Sequence, residues 1–304
     1  MIPRMLHSAT LWFTLPAPNV LQDMPRAATP APIHPEIRAG QSIELLKALH
    51  ILTRDGRMNQ DSRRKLKQVY HLYQFIEPLF EQVIQARNVV QLADIGAGKS
   101  YLGFILYDLF FKARADASHI YAIEARAELV QKSSALAQQL QFTRMTFLDM
   151  PVAAAMDTAL LPDTLDMVTA LHACDTTTDD AIRLGLQKRT RFIVLAPCCQ
   201  AEVAAVLRRH KGAALANTLT EVWRHPLHTR EFGSHITNVL RCLQLEAHGY
   251  QVNVTELVGW EHAMKNELII ASFKDLPRER PTRRLNELLE KLGLTELNER
   301  FFTA

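Results

Sequence analysis

One continuous segment of the chain combines an apolar strand, a glycine turn, a helix and a second strand. Val89–Asp94 is an apolar run that ends at a carboxylate, and Gly96 and Gly98 follow it directly. Tyr101–Arg114 has helical apolar spacing and leads to a second short apolar run, Ile120–Glu124. A strand, a glycine turn, a helix and a parallel strand form the first unit of a nucleotide-binding sheet. This segment therefore restricts the chain to an α/β fold.

The same alternation continues along the chain and predicts the rest of the fold. The predicted strands are Val89–Asp94, Ile120–Glu124, Met145–Leu148, Leu165–Ala170, Phe192–Ala196, Gln251–Leu257 and Leu268–Phe273. The predicted helices are Pro35–Leu52, Asp61–Ala86, Tyr101–Arg114, Ala127–Leu140, Thr178–Gln187, Glu202–Lys211 and His235–His248. A loop, and not a helix, separates the last two strands. We predict an α/β fold, a seven-stranded doubly wound (Rossmann-like) sheet with an antiparallel final strand and an N-terminal helical extension.

Composition divides the chain into four parts. Residues 1–35 hold seven prolines and many alanines, which predicts a flexible leader. Residues 36–87 form the helical extension, and residues 88–275 form the sheet domain. Residues 276–304 contain leucines at helical spacing, which predicts a helical tail of one or two amphipathic helices.

The glycine turn has two interpretations that imply different ligands. As Ala93-x-x-x-x-Gly98-Lys99-Ser100 it resembles a phosphate loop with alanine in place of the first glycine, and this alternative predicts a nucleotide-binding protein. A carboxylate at Asp94 opposes phosphate binding there, and no magnesium-binding aspartate is evident at a later strand end. Glu124 ends the second strand, where an acidic residue binds ribose hydroxyls. The residues therefore favour a cationic sulfonium cofactor, S-adenosyl-L-methionine (SAM).

In doubly wound sheets, ligands bind beyond the carboxyl ends of the strands, and this rule selects the cofactor residues. We predict that Asp94 pairs with the cofactor's ammonium group and that Glu124 binds the ribose. Asp149 and Met150, after the third strand, are predicted to hold the adenine, with a simple turn cap as the alternative for Asp149. The predicted cofactor-binding residues are Asp94, Gly96, Gly98, Ser100, Glu124, Asp149, Met150 and Leu171.

The loops after the fourth and fifth strands carry the candidate catalytic groups, and we expect these loops to be neighbours. His172 and Asp175 are candidate general bases, because burial tunes either group toward neutral pH. The alternative is structural: Asp175 or Thr178 caps the next helix, and His172 buttresses the fold.

Cysteines in these two loops admit three interpretations. His172, Cys174, Cys198 and Cys199 form a nitrogen and sulfur set, but adjacent cysteines rarely bind one tetrahedral ion, and we predict no metal. Cys198 or Cys199 as a covalent nucleophile is the second interpretation. Buried cysteines that act as small apolar groups are the third. We include Cys198 and Cys199 among the candidate catalytic residues.

Basic and polar residues elsewhere are candidates for gripping an anionic substrate. Lys65 lies in a basic stretch of the second helix, Arg230 in a histidine-rich stretch predicted as a loop, and Lys265 and Asn266 in the loop between the last two strands. The alternative is ordinary surface exposure.

Composition excludes several other classes of protein. The chain has 304 residues, 48% of them hydrophobic, and a formal net charge of +3, which permits an anionic partner without requiring one. Four cysteines, two of them adjacent, do not form a disulfide framework. No apolar run is long enough to span a membrane, and the N-terminal segment lacks a convincing signal cleavage site. We expect a cytoplasmic protein without membrane association.

Four segments carry a resemblance to a known family. They are Asp94–Gly103, Leu171–Asp175 (LHACD), Ala196–Gln200 (APCCQ) and Lys265-Asn266. On these, residues 61–273 resemble the class I SAM-dependent methyltransferases, in a poorly characterised branch. That branch is distantly similar to tRNA 2′-O-methyltransferases that contain a cysteine and histidine finger, which is not recognisable in this chain. Ser100 replaces the third glycine of the usual loop.

The resemblance implies a class I methyltransferase sheet, SAM as cofactor, and RNA as the favoured methyl acceptor. A protein or small-molecule acceptor is the alternative within the enzyme class. A non-catalytic SAM-binding scaffold is the alternative outside it. The sequence does not identify the accepting atom.

Overall fold

The computed structural model describes residues 35–114, 116–171, 173, 175–198, 200–209, 218–257 and 267–301. The chain divides into two units, residues 1–39 and residues 40–304. The described part of the first unit, residues 35–39, is an irregular turn. The predicted flexible leader lies almost entirely outside the described residues. All elements below belong to the second unit.

Strands and helices alternate through most of the second unit. Its strands are β1 Gln91–Ile95, β2 His119–Glu124, β3 Met145–Asp149, β4 Met167–Leu171, β5 Phe192–Ala196, β6 Tyr250–Glu256 and β7 Glu267–Phe273. Its α-helices are α1 Ile43–Ala48, α2 Gln60–Arg87, α3 Tyr101–Leu106, α4 Ala127–Gln139, α5 Val152–Ala155, α6 Thr177–Gln187, α7 Glu202–Arg209, α8 Pro226–Ala247, α9 Glu279–Lys291 and α10 Asn298–Phe301. A π-helical turn, Tyr107–Phe111, extends α3, and 3₁₀ turns span Thr218–Trp223 and Thr295–Leu297.

The described strands form one seven-stranded sheet in the order β3-β2-β1-β4-β5-β7-β6. Strands β1 to β5 are parallel, and β7 runs antiparallel to both β5 and β6. The predicted seven strands and the antiparallel final strand are confirmed. The strand order reverses between β1 and β4, so the glycine turn after β1 opens at the switch point, where such sheets bind ligands.

Two predicted helices have wrong bounds. The first helix, predicted over Pro35–Leu52, is only α1, because the Ser42 side chain accepts the N–H of Leu45 and sets the start there. His50, two residues after the end of α1, has a left-handed φ of 56°, so the helix does not continue to Leu52. The histidine-rich stretch before residue 235, predicted as a loop, is the first part of α8. Pro226 occupies the first turn of α8, where its missing N–H costs nothing.

Two of the apolar clusters among the described residues position the sheet and the helices after it. One lies between the sheet and its flanking helices and includes Ala93, Ile95, Val168, Ile193 and Ile269, all fully buried. The other joins α7, α8 and α9 through such residues as Val203, Leu240, Leu285 and Leu289. None of the described helices combines the length and the apolar character needed to cross a bilayer.

Candidate active site

The turn after β1 repeats one unusual backbone conformation at every second residue. Gly96, Gly98 and Ser100 all have positive φ, at 61°, 59° and 51°. Glycine adopts this left-handed region without penalty, whereas serine does so at a cost of roughly 1–2 kcal/mol. Ser100 therefore holds a left-handed conformation that a glycine at this position would adopt without penalty. Its hydroxyl is buried with no partner among the described residues.

Asp94 lies one residue before the end of β1 and is held by two neighbours. Thr169 on β4 donates its hydroxyl to Asp94 Oδ1 at 2.8 Å. The N–H of Gly103 also donates to this carboxylate. Ser100 makes no side-chain cap at the start of α3, so Asp94 satisfies one of that helix's unpaired N–H groups. Burial raises the pKa of Asp94 to about 7, against the opposing effect of these two hydrogen bonds.

Glu124, the last residue of β2, accepts four hydrogen bonds. The N–H of Gly98 donates to Oε2 at 2.8 Å, so the second strand and the glycine turn are joined through this side chain. Arg126 donates the other three, from its backbone N–H at 3.0 Å and from Nε and Nη2 at 2.8 and 3.2 Å. Although burial raises the carboxyl pKa, these hydrogen bonds outweigh it and lower the pKa of Glu124 below its usual value.

The backbone N–H groups of the turn do not favour the phosphate-loop interpretation. Ala97 donates to the carbonyl of Ile123 at 3.1 Å, Gly98 to Glu124, and Ser100 to the carbonyl of Ala97 at 2.7 Å. A phosphate loop needs such groups aimed at the anion. Here three of them already bind protein acceptors, and two carboxylates flank the turn.

A cavity of about 740 Å³ opens beside the turn, and we call it the glycine-loop cavity. Its walls come from the end of α1, the first half of α2, the start of α3 and one face of α4. Its lining residues are Ala48, Leu49, His50, Lys65, Gln68, Val69, Leu72, Asp94, Gly96, Ala97, Gly98, Lys99, Tyr101, Leu102, Arg126, Lys132, Ser133, Leu136 and Leu171. Its volume is in the range of cofactor sites.

The predicted cofactor residues divide into three groups. Asp94, Gly96, Gly98 and Leu171 line the glycine-loop cavity. Glu124 is next to the glycine turn and accepts a hydrogen bond from the N–H of Gly98, whereas Ser100 is buried and does not line the cavity. Asp149 ends β3 beside Glu124 and is exposed, and Met150 follows it, with its N–H donating to the Glu124 carbonyl at 3.2 Å. Neither is among the residues that line this cavity.

The loops after β4 and β5 are neighbours, as predicted. The N–H of Ala201 donates to Asp175 Oδ1 at 3.0 Å, and Arg241 donates to the carbonyl of Asp175 at 2.9 Å. Asp175 therefore links the two loops through hydrogen bonds. Neither Asp175 nor Thr178 caps α6, and the Thr178 hydroxyl donates instead to the Ala173 carbonyl at 2.7 Å.

Ala173 brings the first of these loops against the glycine turn. A Cβ built on Gly96 would lie 3.3 Å from Ala173 Cβ. Of the other candidates here, Cys198 is half-buried, whereas His172, Cys174 and Cys199 lie outside the described residues. Their predicted roles stay predictions.

Among the predicted substrate residues, Lys65 lines the glycine-loop cavity. Arg230 does not line it; this residue lies on α8, and not on a loop, and its exposed guanidinium pairs with Glu231 at 2.9 Å. Lys265 and Asn266 lie outside the described residues.

Sequence reasoning missed several residues of the site, among them Thr169, Lys132, Tyr101 and Arg126. Thr169 is found only once β1 and β4 are aligned, since their register sets Asp94 opposite Thr169. Lys132 and Tyr101 lie on helices whose cavity-facing side cannot be known before packing. Arg126 could have been found from the sequence, because a cationic side chain two residues after Glu124 can reach the Glu124 carboxylate.

The donors and acceptors of the glycine-loop cavity fit SAM. A buried carboxylate with a raised pKa suits a cationic amino group, since the ammonium stabilises the charged form. The Tyr101 hydroxyl is buried without a partner among the described residues, which leaves a polar atom for a ligand. Held there, the cofactor supplies an electrophilic methyl group.

Comparison with known protein families identifies a methyltransferase domain in this chain. Residues 64–206, just under half of the chain, match the family model of a methyltransferase domain. A search of curated proteins gave no match.

Solved structures with similar folds include three methyltransferases. Precorrin-6y C5,15-methyltransferase from Geobacter metallireducens is 19% identical (61% of this chain and 79% of that chain covered, TM-score 0.37). Magnesium protoporphyrin IX methyltransferase from Synechocystis, with bound S-adenosylhomocysteine (SAH), is 13% identical (76% and 93% covered, TM-score 0.41). A putative O-methyltransferase from Klebsiella pneumoniae is 12% identical (76% and 87% covered, TM-score 0.44). At such identities, their substrates say nothing about the acceptor of this chain. The chain carries a SAM-dependent methyltransferase domain, with SAM as its cofactor.

Proposed function

We propose that this enzyme transfers the methyl group of SAM to RNA. The observation that carries the proposal is the charge at the glycine-loop cavity. Lys65, Lys99 and Lys132 line it, each exposed, and no ion pair joins any of them to a described carboxylate. The carboxylate among the lining residues is Asp94, and the lining is therefore cationic.

This positive charge does not serve the cofactor. SAM carries a sulfonium, an ammonium and one carboxylate, and its net charge is positive. Unpaired lysines around such a ligand oppose its binding. They are matched instead to an anion that arrives second, and positive charge at the mouth of a site speeds the encounter with an anionic substrate.

The basic surface extends beyond the cavity, which favours a polymer over a small anion. Arg63, Arg64 and Lys67 are exposed on the same first turns of α2 as Lys65. These four residues lie within residues 63–67, which span about 6 Å at the helical rise of 1.5 Å per residue, so the positive charge on this part of α2 is dense. Tyr101 in the cavity offers a ring of the kind on which bases stack.

The loop after β4 supplies the candidate base. Ala173 contacts the glycine turn, so His172 and Asp175, one and two residues away from it in the chain, are proposed to flank the transferable methyl. A base there removes the proton from the accepting oxygen or nitrogen as the methyl moves in line. We expect Asp175 to act chiefly by fixing the loop, because its Oδ1 already accepts from Ala201, and His172 to be the base.

Transfer of radiolabelled methyl from SAM tests the acceptor. RNA, protein and metabolite pools from a strain that lacks this protein are incubated separately with enzyme. We expect label in the RNA pool that ribonuclease releases, and none with Asp94→Asn. Label confined to protein or to metabolites would overturn the RNA proposal in favour of that acceptor class, and label in no pool would favour the non-catalytic scaffold.

A further inference from the structure

The Glu124 carboxylate has no acceptor position left for a ribose. Its two oxygens offer about four lone-pair positions, and the N–H of Gly98 with three donors from Arg126 takes four hydrogen bonds. A cofactor whose ribose hydroxyls bind Glu124 must therefore replace a donor.

Arg126 is the donor that can leave. The N–H of Gly98 is fixed by the backbone of the turn, whereas the Arg126 side chain is 63% exposed and the Glu124 side chain 9% exposed. Water screens the exposed guanidinium, and two ribose hydroxyls would restore hydrogen bonds to the buried carboxylate, so replacing this donor does not oppose cofactor binding strongly. Two ribose hydroxyls would replace the Nε and Nη2 donors on the same two oxygens.

Arg126 also lines the glycine-loop cavity with Lys99 and Lys132. Its Nη2 lies 3.7 Å from the position of a Cβ built on Gly98, directly over the turn. Glu124 offsets charge on Arg126 while the two residues pair. When the guanidinium turns away from Glu124, its charge adds to that of the two lysines.

We propose that Arg126 is an acceptor-binding residue that cofactor binding releases. In this proposal, which rests on the proposed function, Arg126 covers Glu124 in the free enzyme and turns to an RNA phosphate when ribose hydroxyls take its place. The enzyme then binds RNA more tightly with cofactor present. By reciprocity, RNA tightens cofactor binding by the same factor.

Binding of a single-stranded 20-nucleotide oligouridylate to the full chain, with and without saturating SAH, tests this coupling. We expect SAH to tighten oligonucleotide binding roughly fivefold. We expect it also to steepen the dependence of log K on log salt by about 0.7, the value for one added phosphate contact on a single strand. In Arg126→Ala both effects should vanish. Lys132→Ala is the matched control: it should weaken binding equally with and without SAH.

The ligand that triggers release is tested separately. 5′-Methylthioadenosine, which has the ribose and lacks the amino acid, should produce the same coupling as SAH, and methionine alone should produce none.

Whether the Arg126 side chain blocks the Glu124 carboxylate in the free enzyme is tested by SAH affinity, without RNA. By calorimetry, Arg126→Ala should bind SAH as tightly as the wild type or a few-fold tighter, because no guanidinium has to leave. SAH binding at least tenfold weaker in the variant, or coupling that survives in it, would overturn the proposal. If the wild type binds SAH but not the oligonucleotide, the RNA acceptor fails and acceptor binding by Arg126 fails with it. The SAH affinity of the variant would then still show whether Arg126 covers Glu124.

Discussion

Thr169 and Asp94 face each other across the switch point of the sheet, with the threonine hydroxyl 2.8 Å from the aspartate Oδ1. The two residues lie at paired positions of β4 and β1. The contact fixes the carboxylate beside the glycine-loop cavity while burial raises its pKa to about 7. A group that titrates near neutral pH makes the site's affinity for a cationic ligand pH-dependent.

SAH affinity should rise with pH through this titration. Since the cofactor's ammonium pairs with the ionised form of Asp94, and a pKa of about 7 leaves it mostly protonated at pH 6, we expect roughly tenfold tighter SAH binding at pH 8 than at pH 6. In Asp94→Asn, binding should be weak and nearly independent of pH. Calorimetric titration across this range makes the measurement, and a flat wild-type profile would count against the role of Asp94.

The same pKa shift predicts how stability without ligand depends on pH. The folded pKa of about 7 lies above the ordinary value of 3.8, so the native state holds a proton that the unfolded state has lost. The stabilising contribution is complete below about pH 4 and is lost as the pH rises to about 7. Relative to Asp94→Asn, the wild type should lose on the order of 4 kcal/mol across this window. Urea unfolding of both proteins at several pH values tests it; a constant difference would show an unshifted carboxyl.

Ser100→Gly should stabilise the protein by about 1 kcal/mol. The change removes a left-handed serine and a buried hydroxyl that has no partner in the described part of the chain, and the added freedom of glycine in the unfolded chain offsets part of the gain. Ser100→Ala is the control, since it removes the hydroxyl and keeps the strained φ, and its gain should be smaller. Urea midpoints give the comparison. A loss of stability in Ser100→Gly would mean that the hydroxyl is used.

Gly96→Ala should cost more stability than Gly40→Ala. Both glycines have positive φ, at 61° and 84°, so both variants carry the backbone penalty of roughly 1–2 kcal/mol. A Cβ at Gly40 meets nothing within 4 Å, whereas at Gly96 it lies 3.3 Å from Ala173 Cβ. Unfolding by urea and SAH binding are measured for both. Equal costs, or full SAH affinity in Gly96→Ala, would contradict the close approach of turn and β4 loop.

The fold was largely predictable because its signals are local. The apolar run of β5, Phe192–Ala196, is bounded by polar residues and by Pro197, and its limits are the predicted ones. The start of α8 was not predictable by the same means. Pro226 and the histidines around it are typical of a loop, and only the packing of Gly233 directly against Ala204 on α7 shows why a helix runs there.

The site residues that directly follow the predicted strands could be predicted from the sequence. The residues that reach the site only through packing could not. Asp94 and Glu124 could be identified from the sequence, because each carboxylate ends an apolar run. The donors that govern them come from elsewhere: Thr169 from a neighbouring strand, and Gly103 from the first turn of α3. Buried Arg241 is a further case, since its pair with Asp179 at 2.7 Å spans 62 positions of the chain and anchors the loop that holds Asp175.

Calorimetric titration of the full chain with SAH and, separately, with magnesium ATP tests most directly what the glycine-loop cavity binds. We expect SAH to bind at one site per chain and magnesium ATP not to compete with it, and we expect SAH at 100 times its Kd to raise the free energy of unfolding by about 2.7 kcal/mol. Binding and stabilisation by magnesium ATP, with none by SAH, would contradict the assignment of this cavity to SAM.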